Sequence, residues 1–111
     1  MTGITTHILD LSTGTPAAGV AVTLEQASVT GWAVLARATT DADGRVRDAF
    51  AAVQGAGRYR LTFATGAWFG ARGVASFHPE VSVVFEVADA QQHHHVPLLL
   101  SPFGYSTYRG S

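Results

Sequence analysis

Residues 4–26, "ITTHILDLSTGTPAAGVAVTLEQ", contain two short runs in which apolar and polar side chains alternate. In the first run, Ile4, Thr6 and Ile8 lie on one face of an extended chain and His7 lies on the opposite face. In the second run, valine and leucine alternate with smaller or polar residues. A polar segment with glycines and a proline separates the two runs. This period of two is typical of strands that bury one face, so the stretch predicts two strands joined by a loop.

The same pattern continues along the rest of the chain. Six further segments with strand character are "WAVLARATT", "RDAF", "RYRLTFAT", "EVSVVFEVAD", "HHHVPLLLS" and a final stub in "YSTYRGS". "DADGR" predicts a tight turn that ends at Arg45, because Asp tolerates turn geometry and Gly44 can supply a positive φ. "GAWFGARGVAS" breaks the alternation and predicts one short helix. We therefore predict an all-β fold of eight strands and one short helix, as a single domain over residues 1–111.

Composition narrows the classes of partner. The chain is 47% hydrophobic and 14% charged with a formal net charge of -1, which argues against disorder and gives no basic surface for nucleic acid. It has no cysteine, so a disulfide framework, a thiolate metal site and a cysteine nucleophile are excluded. The first residues lack the features of a signal peptide, and no stretch approaches the roughly 18 apolar residues of a spanning helix. We expect a cytoplasmic protein whose partners are small molecules or other protein chains, with no nucleic acid and no membrane.

Three adjacent histidines form the most conspicuous polar cluster. On a strand, His93 and His95 face one way and His94 faces the other, so at most two of them act together. A His-x-His pair can chelate zinc, but a zinc site needs a third protein ligand, for which the chain offers His7, His78 or carboxylates. A zinc hydrolase that uses His93, His95 and His7 is therefore an alternative, while our prediction is that the protein holds no metal.

Several motifs resemble one known family. "HILDLSTGTPAAGVAV" (7–22) resembles the first signature of the transthyretin family, and "HVPLLLSPFGYS" (95–106) resembles the second. The ending "YRGS" is similar to the terminus of the 5-hydroxyisourate hydrolase branch, which transthyretin itself lacks. "DADGR", "YRLTFATGAWF" and "FHPEVSVVFEV" also resemble that branch, so the resemblance covers nearly the whole chain. The chain departs from the branch at His94 and His78, where tyrosine is common.

The resemblance implies a fold, an assembly and a reaction. The fold is an eight-stranded, two-sheet transthyretin-like sandwich with one short helix, and the assembly is a homotetramer, a dimer of dimers, with its sites in a channel at the dimer-dimer interface. The reaction is hydrolytic opening of the six-membered ring of the purine-derived substrate 5-hydroxyisourate, giving 2-oxo-4-hydroxy-4-carboxy-5-ureidoimidazoline in urate catabolism. No cofactor is implied.

The alternative from another functional class is a transthyretin-type binding protein, which holds a small ligand in the same channel without catalysis. The polar group of His7, Arg45 and His95 disfavours this alternative, because a carrier of an aromatic hormone needs mostly apolar walls.

The resemblance also carries the site onto particular residues. The residues it implies as catalytic are His7, Arg45, His95 and Ser111. The residues it implies as substrate-binding are His7, Arg45, Tyr108, Arg109 and Gly110. Hydrolysis of a cyclic amide needs a base for water, a proton source for the leaving nitrogen and a donor for the developing oxyanion.

We assign those roles as follows. His7, beside His95, activates water, and Arg45 binds the polar face of the purine and favours neutral imidazoles by its charge. Ser111 stabilises the oxyanion or relays a proton, and Tyr108 orients the substrate. Which of the two histidines is the base stays open at this point.

Overall fold

The computed structural model describes residues 3–50 and 55–111. Within that part of the chain, nine strands and one helix follow one another. Their bounds are β1 Ile4–Asp10, β2 Thr15–Pro16, β3 Ala21–Ser28, β4 Gly31–Thr39, β5 Arg45–Val46, β6 Gly57–Phe63, α1 Thr65–Ala71, β7 Val81–Val87, β8 His94–Ser101 and β9 Gly104–Thr107. Among the described residues, no helix is long and apolar enough to cross a membrane.

The strands form two sheets. One sheet has the order β2-β1-β8-β9, with β5 also paired to β1, and the other has the order β4-β3-β6-β7. All pairings are antiparallel except that of β1 with β8, which run parallel. The parallel pair matters for function because it places the first strand of the chain beside the segment that carries the three histidines.

The core lies between the two sheets and is built from the alternating apolar faces. Ile4, Thr6 and Ile8 of β1 are fully buried, as their period of two predicts. Leu24 and Leu61 of the other sheet are buried in the same cluster, and burial of each such side chain contributes roughly 1.5–3 kcal/mol. Because one face of β1 is committed to this core, the opposite face, which carries His7, is available for a site.

The two-sheet sandwich with a single short helix is confirmed, and the count of nine strands is close to the predicted eight. The additional strand is β2, a two-residue pairing inside the loop after β1. The predicted strand "RDAF" was wrong: pairing with β1 involves Arg45 and Val46, and residues 47–50 form a bend and a turn. The chain turns there because Phe50 packs into the core, while its carbonyl oxygen accepts a hydrogen bond from the Ile4 amide.

The turn that precedes β5 is the one predicted from "DADGR". The Asp41 carboxylate accepts hydrogen bonds from the backbone amides of Asp43 and Arg45. Gly44 has a φ of +74°, and a Cβ atom there would lie 2.5 Å from the Ile8 carbonyl oxygen. Glycine is therefore required both by the left-handed backbone and by the close approach to β1. This turn delivers Arg45 to the edge of β1.

Candidate active site

Three neighbouring strands bring the predicted site residues to one face of a sheet. The parallel register of β1 and β8 places Thr5 opposite His95. On the other side of β1, the antiparallel register with β5 places His7 opposite Arg45. Since Thr5 and His7 are two residues apart, both point away from the core. The strand pairing thus gathers residues that are up to 90 positions apart in the sequence.

The histidine run behaves as alternation predicts. His93 and His95 lie on the same side, with ring centroids 6.3 Å apart. His94 lies on the opposite side, where it is only 4% exposed and its Nδ1 lies 3.0 Å from the Gln92 carbonyl oxygen. His94 is therefore a packed residue of the sheet rather than a neighbour of His95 in the site.

The hydroxyl group of Thr5 lies within hydrogen-bonding distance of both His93 and His95. Thr5 Oγ1 lies 2.7 Å from His95 Nδ1 and 2.8 Å from His93 Nε2. No hydrogen bond to a described residue engages the other ring nitrogen of His95. Thr5 thus orients His95 and leaves its Nε2 as the nitrogen that is open to a water or a substrate.

The chain end packs against the other edge of the His95 ring. The Gly110 amide donates a hydrogen bond of 2.8 Å to the His95 carbonyl oxygen, and the two residues form an isolated bridge. A Cβ atom on Gly110 would lie 2.5 Å from His95 Cδ2 and 3.2 Å from Pro97 Cγ. Only glycine allows the backbone to run this close to the ring. This contact carries Ser111 into the site.

A polar cleft of about 350 Å³ opens at this place. Its lining includes Arg45, His95 and Ser111, three of the four residues predicted as catalytic, together with Thr5 and His93. A cleft of this volume falls at the lower end of the range for small-molecule sites. The structure therefore joins the turn after β4, the strand β8 and the chain end in one site large enough for a small substrate.

The electrostatics of the cleft favour neutral imidazoles. Burial lowers the pKa of His95 below its ordinary value of 6.5, the positive charge of Arg45 lowers it further, and so does the presence of His93 and His7, because a proton on His95 would repel a proton on either ring. A hydrogen bond with the Thr5 backbone opposes these contributions. Burial, followed by the charge of Arg45, also lowers the pKa of His7, against smaller opposing contributions from Asp41 and Asp43. At neutral pH both rings are uncharged and can accept a proton.

His7 occupies a flanking position. It lies beside Arg45 on the β1–β5 ladder and outside the lining of the cleft itself. A proton on His7 would nevertheless repel one on His95, and this interaction lowers the pKa of His95. His7 is thus close enough to affect proton transfer at the site, next to the guanidinium that would hold a substrate.

The structure does not bring every predicted substrate-binding residue into this cleft. Tyr108 and Arg109 line a second cleft of about 300 Å³, which lies between β7 and the segment from β8 to the chain end. Tyr108 is 57% exposed, and Arg109 Nη2 donates a hydrogen bond of 3.3 Å to Gln92 Oε1. His95 lines this second cleft as well as the first, so within one chain Tyr108 and Arg109 lie near His95 but outside the polar cleft that holds Arg45 and Ser111.

Six residues that line the cleft were not among the predicted site residues: Thr5, Thr6, Val46, Arg47, Asp48 and His93. Of these, His93 entered the sequence reasoning only as a ligand in the zinc alternative. The places of Thr5 and His93 could have been noticed from the period of two, since Thr5 shares a face with His7 and His93 shares one with His95. What the sequence does not reveal is the register that joins β1 to β8, and this register is what makes the threonine hydroxyl a common partner of both rings.

Among residues 3–50 and 55–111, no group of three or more histidine, cysteine, aspartate or glutamate side chains is arranged to hold a metal ion. The zinc alternative built on His7, His93 and His95 therefore finds no support in the geometry. His78 also lies apart, edge-on to the rings of Phe77 and Tyr105.

Comparisons with known proteins agree with this architecture. The HIUase/Transthyretin family matches residues 4–110. A 5-hydroxyisourate hydrolase of Caulobacter vibrioides is 49% identical over 117 aligned positions, which cover 100% of both chains. The solved structure of Klebsiella pneumoniae 5-hydroxyisourate hydrolase superposes with a TM-score of 0.87 at 45% identity, covering 98% of this chain and 99% of that one.

Sea bream transthyretin, solved in complex with thyroxine, superposes equally well, with a TM-score of 0.88 over 96% of this chain and 93% of that one. Its sequence identity is lower, at 35%. Backbone similarity alone does not separate the hydrolase from the hormone carrier, whereas sequence identity and the polar cleft both favour the hydrolase.

Proposed function

The chain belongs to the HIUase/Transthyretin family, and from that membership and the polar cleft we propose that it is a 5-hydroxyisourate hydrolase of urate catabolism. It opens the six-membered ring of its substrate with water. The observation that carries the proposal is the convergence of Arg45, His95 and Ser111 on one cleft, where burial and the Arg45 guanidinium lower the pKa of His95.

His95 is the general base in this proposal. Its Nδ1 is engaged by Thr5 and its Cδ2 edge is covered by Gly110, so Nε2 is the nitrogen left to meet a water molecule. The lowered pKa keeps the ring unprotonated at neutral pH, as a base requires. Water loses a proton to Nε2 as its oxygen attacks the ring carbonyl carbon. The same proton then passes to the leaving nitrogen when the carbon–nitrogen bond breaks.

Arg45, Ser111 and His7 complete the site. The Arg45 guanidinium binds the polar edge of the substrate and offsets negative charge as it grows on the carbonyl oxygen. The Ser111 hydroxyl donates to the same oxygen. His7, directly opposite Arg45 in the strand ladder, works beside His95 in moving the proton. Positioning of the water and of the carbonyl, together with proton transfer and charge stabilisation, carries the hydrolysis in this proposal, so the mechanism uses no metal and no organic cofactor.

Tyr108 and Arg109 belong to the proposal through assembly. We propose a homotetramer, a dimer of dimers, whose sites lie at the dimer-dimer interface. In the described part of the chain β7 and β9 each end a sheet, and an edge strand is a ready surface for pairing with another chain. Tyr108, exposed beside these edges, would then orient substrate in a site completed by a neighbouring subunit. The cytoplasmic location and the single domain over residues 1–111 stay predictions from the sequence.

The direct test is ultraviolet monitoring of freshly generated 5-hydroxyisourate with and without the protein, before and after exhaustive chelation of metals. The protein should accelerate loss of the substrate beyond its spontaneous decay, and chelation should leave the rate unchanged. Arg45→Ala should lower the rate, whereas Arg58→Ala should not, since Arg58 is an exposed arginine of the other sheet paired with Glu86. Decay at the spontaneous rate would contradict the hydrolase and favour the binding protein, and loss of activity to chelator would revive the zinc alternative.

A further inference from the structure

One hydroxyl group lies between two imidazole rings in the cleft. Thr5 Oγ1 is within hydrogen-bonding distance of His95 Nδ1, at 2.7 Å, and of His93 Nε2, at 2.8 Å. All three side chains are partly shielded from solvent, and all three line the cleft. The three residues therefore form a chain of hydrogen bonds that runs from the base to a second histidine.

The proton and the lone pairs of the hydroxyl decide how this chain runs. A hydroxyl has one proton to donate and two lone pairs, so Thr5 either donates to one ring and accepts an N–H from the other, or accepts an N–H from both rings. Accepting from both rings leaves the Thr5 proton without an acceptor among the described residues, because the two rings are its hydrogen-bond partners there. Two arrangements keep both bonds and use that proton. In the first arrangement, His95 Nδ1–H donates to Thr5, and Thr5 donates to His93 Nε2. In the second, both bonds reverse. Neutral His95 has a bare Nε2 in the first arrangement and a protonated Nε2 in the second.

Of the two arrangements that use the Thr5 proton, only the first leaves His95 able to take a proton from water at Nε2. We propose that Thr5 and His93 are positioning residues that hold His95 in the tautomer with its proton on Nδ1. The Thr5 hydroxyl accepts a hydrogen bond from this N–H and donates its own proton to His93 Nε2. This inference deepens the proposed function and rests on it. It assigns a role to two residues that touch the reaction only through His95.

The arrangement also suits the charged state of the base. When His95 becomes an imidazolium by gaining a proton at Nε2, its Nδ1–H still donates to Thr5, and Thr5 still donates to His93. No group has to rotate as the charge develops, so the hydrogen-bond chain is preorganised for the transition state. A fixed donor–acceptor sequence of this kind stabilises the imidazolium more than the neutral ring, since hydrogen bonds to charged groups are the stronger ones.

The proposal is tested with Thr5→Val, Thr5→Ser and His93→Phe in the full chain. Thr5→Val keeps the shape of the side chain and removes the hydroxyl, and Thr5→Ser restores the hydroxyl. His93→Phe keeps a ring and removes the acceptor. Thr23→Val is the matched control, because Thr23 pairs within the other sheet, opposite Arg37 and Thr62.

The first readout is the tautomer of His95, measured by nitrogen NMR of the imidazole rings, which is independent of activity. Wild type and Thr5→Ser should show neutral His95 with its proton on Nδ1, and Thr5→Val and His93→Phe should show a mixture of tautomers. A wild-type spectrum with the proton on Nε2 would overturn the proposal, and so would a Thr5→Val spectrum identical to that of wild type.

The second readout is the kinetics of 5-hydroxyisourate hydrolysis. Thr5→Val should lower kcat by roughly 10- to 100-fold, the range expected when a hydrogen bond to a charged group is lost, while KM changes less than about 2-fold. Thr5→Ser should recover most of kcat, and Thr23→Val should match wild type. Unchanged kcat in Thr5→Val beside an active wild type would overturn the positioning role alone. An inactive wild type would overturn the proposed function, and the tautomer spectrum would then still decide whether the hydrogen-bond chain runs as proposed.

Discussion

Replacing Gly110 with alanine tests the contact between the chain end and the ring of His95. The added Cβ atom would lie 2.5 Å from His95 Cδ2 and 3.2 Å from both His95 Cγ and Pro97 Cγ. Carbon atoms in contact normally keep about 3.5–4.0 Å, so the ring or the chain end must retreat by about 1 Å. Movement of the ring strains the 2.7 Å contact with Thr5, and movement of the chain end carries Ser111 away.

Either movement misplaces a group that the proposed mechanism needs. A displacement of about 1 Å can reduce turnover by on the order of 100-fold, because near-attack geometry is lost. The cost in stability should be small, since at most the Gly110–His95 backbone hydrogen bond is weakened, and such a bond contributes about 1 kcal/mol to the free energy of unfolding. Gly110→Ala should therefore lose most of its activity while its melting temperature falls by only a few degrees.

The assay is ultraviolet monitoring of 5-hydroxyisourate together with thermal unfolding, with Gly70→Ala as the control. A Cβ atom at Gly70, in α1, meets no atom within 4 Å, so this variant should keep full activity and be as stable as wild type or slightly more so. Wild-type turnover in Gly110→Ala would refute the reasoning, because the close approach of the chain end to His95 would then have no part in catalysis.

Four further outcomes follow from the same site. His7→Ala and Arg45→Ala should each lower kcat/KM by about two orders of magnitude with unchanged circular dichroism, and a near-normal value in either would remove that residue from the mechanism. Deleting residues 108–111, or extending the chain beyond them with a bulky tag, should abolish turnover with a modest change in melting temperature. An active deletion variant would show that residues 108–111 have no part in catalysis. The acidic limb of the kcat/KM profile should have its midpoint below pH 6.5, because burial and the charge of Arg45 lower the pKa of both His7 and His95, and Arg45→Gln should move that limb to higher pH rather than leave it in place. His94→Tyr should stay within a few-fold of wild-type turnover, since His94 faces away from His95, and a large loss would show that the two faces of β8 are coupled.

The same lowered pKa values set the direction of a stability change with pH. In the folded protein His7 and His95 bind protons less readily than in the unfolded chain, whose histidines titrate near 6.5. The stability that the unprotonated forms of His7 and His95 contribute is therefore fully present above about pH 6.5. It is lost as the pH falls through the pKa values of the two histidines in the folded protein. As the pH is lowered, activity and stability should therefore begin to fall in the same pH range.

Much of the fold could be predicted from the sequence because alternation reports burial directly. The buried Ile4, Thr6 and Ile8 and the opposite facing of His94 and His95 both follow from a period of two. The short strand at Arg45 and Val46 could not be found this way, because two residues have no period, and its pairing depends on where the Gly44 turn delivers the chain. The predicted strand that ended at Phe50 was wrong because a buried aromatic residue can also belong to a turn that packs on the core.

The site was predictable only in part, and through family resemblance rather than through pattern. Arg45, His95 and Ser111 do meet in one cleft, but the contacts that join them are non-local. Thr5 and His95 meet through a parallel register, and Gly110 reaches His95 through a single bridge beyond the last strand. No local signal encodes such contacts. The positions of Tyr108 and Arg109 in a second cleft likewise depend on how the chain leaves β9.

The central claim is that this cleft hydrolyses 5-hydroxyisourate with His95 as the base. The most direct measurement compares the rate of 5-hydroxyisourate loss in three samples at neutral pH: buffer alone, the wild-type protein, and His95→Ala at the same concentration. We predict rapid loss with wild type and a rate for His95→Ala that is lower by at least about two orders of magnitude, close to that of buffer. Equal rates for wild type and buffer, or full activity in His95→Ala, would contradict the account.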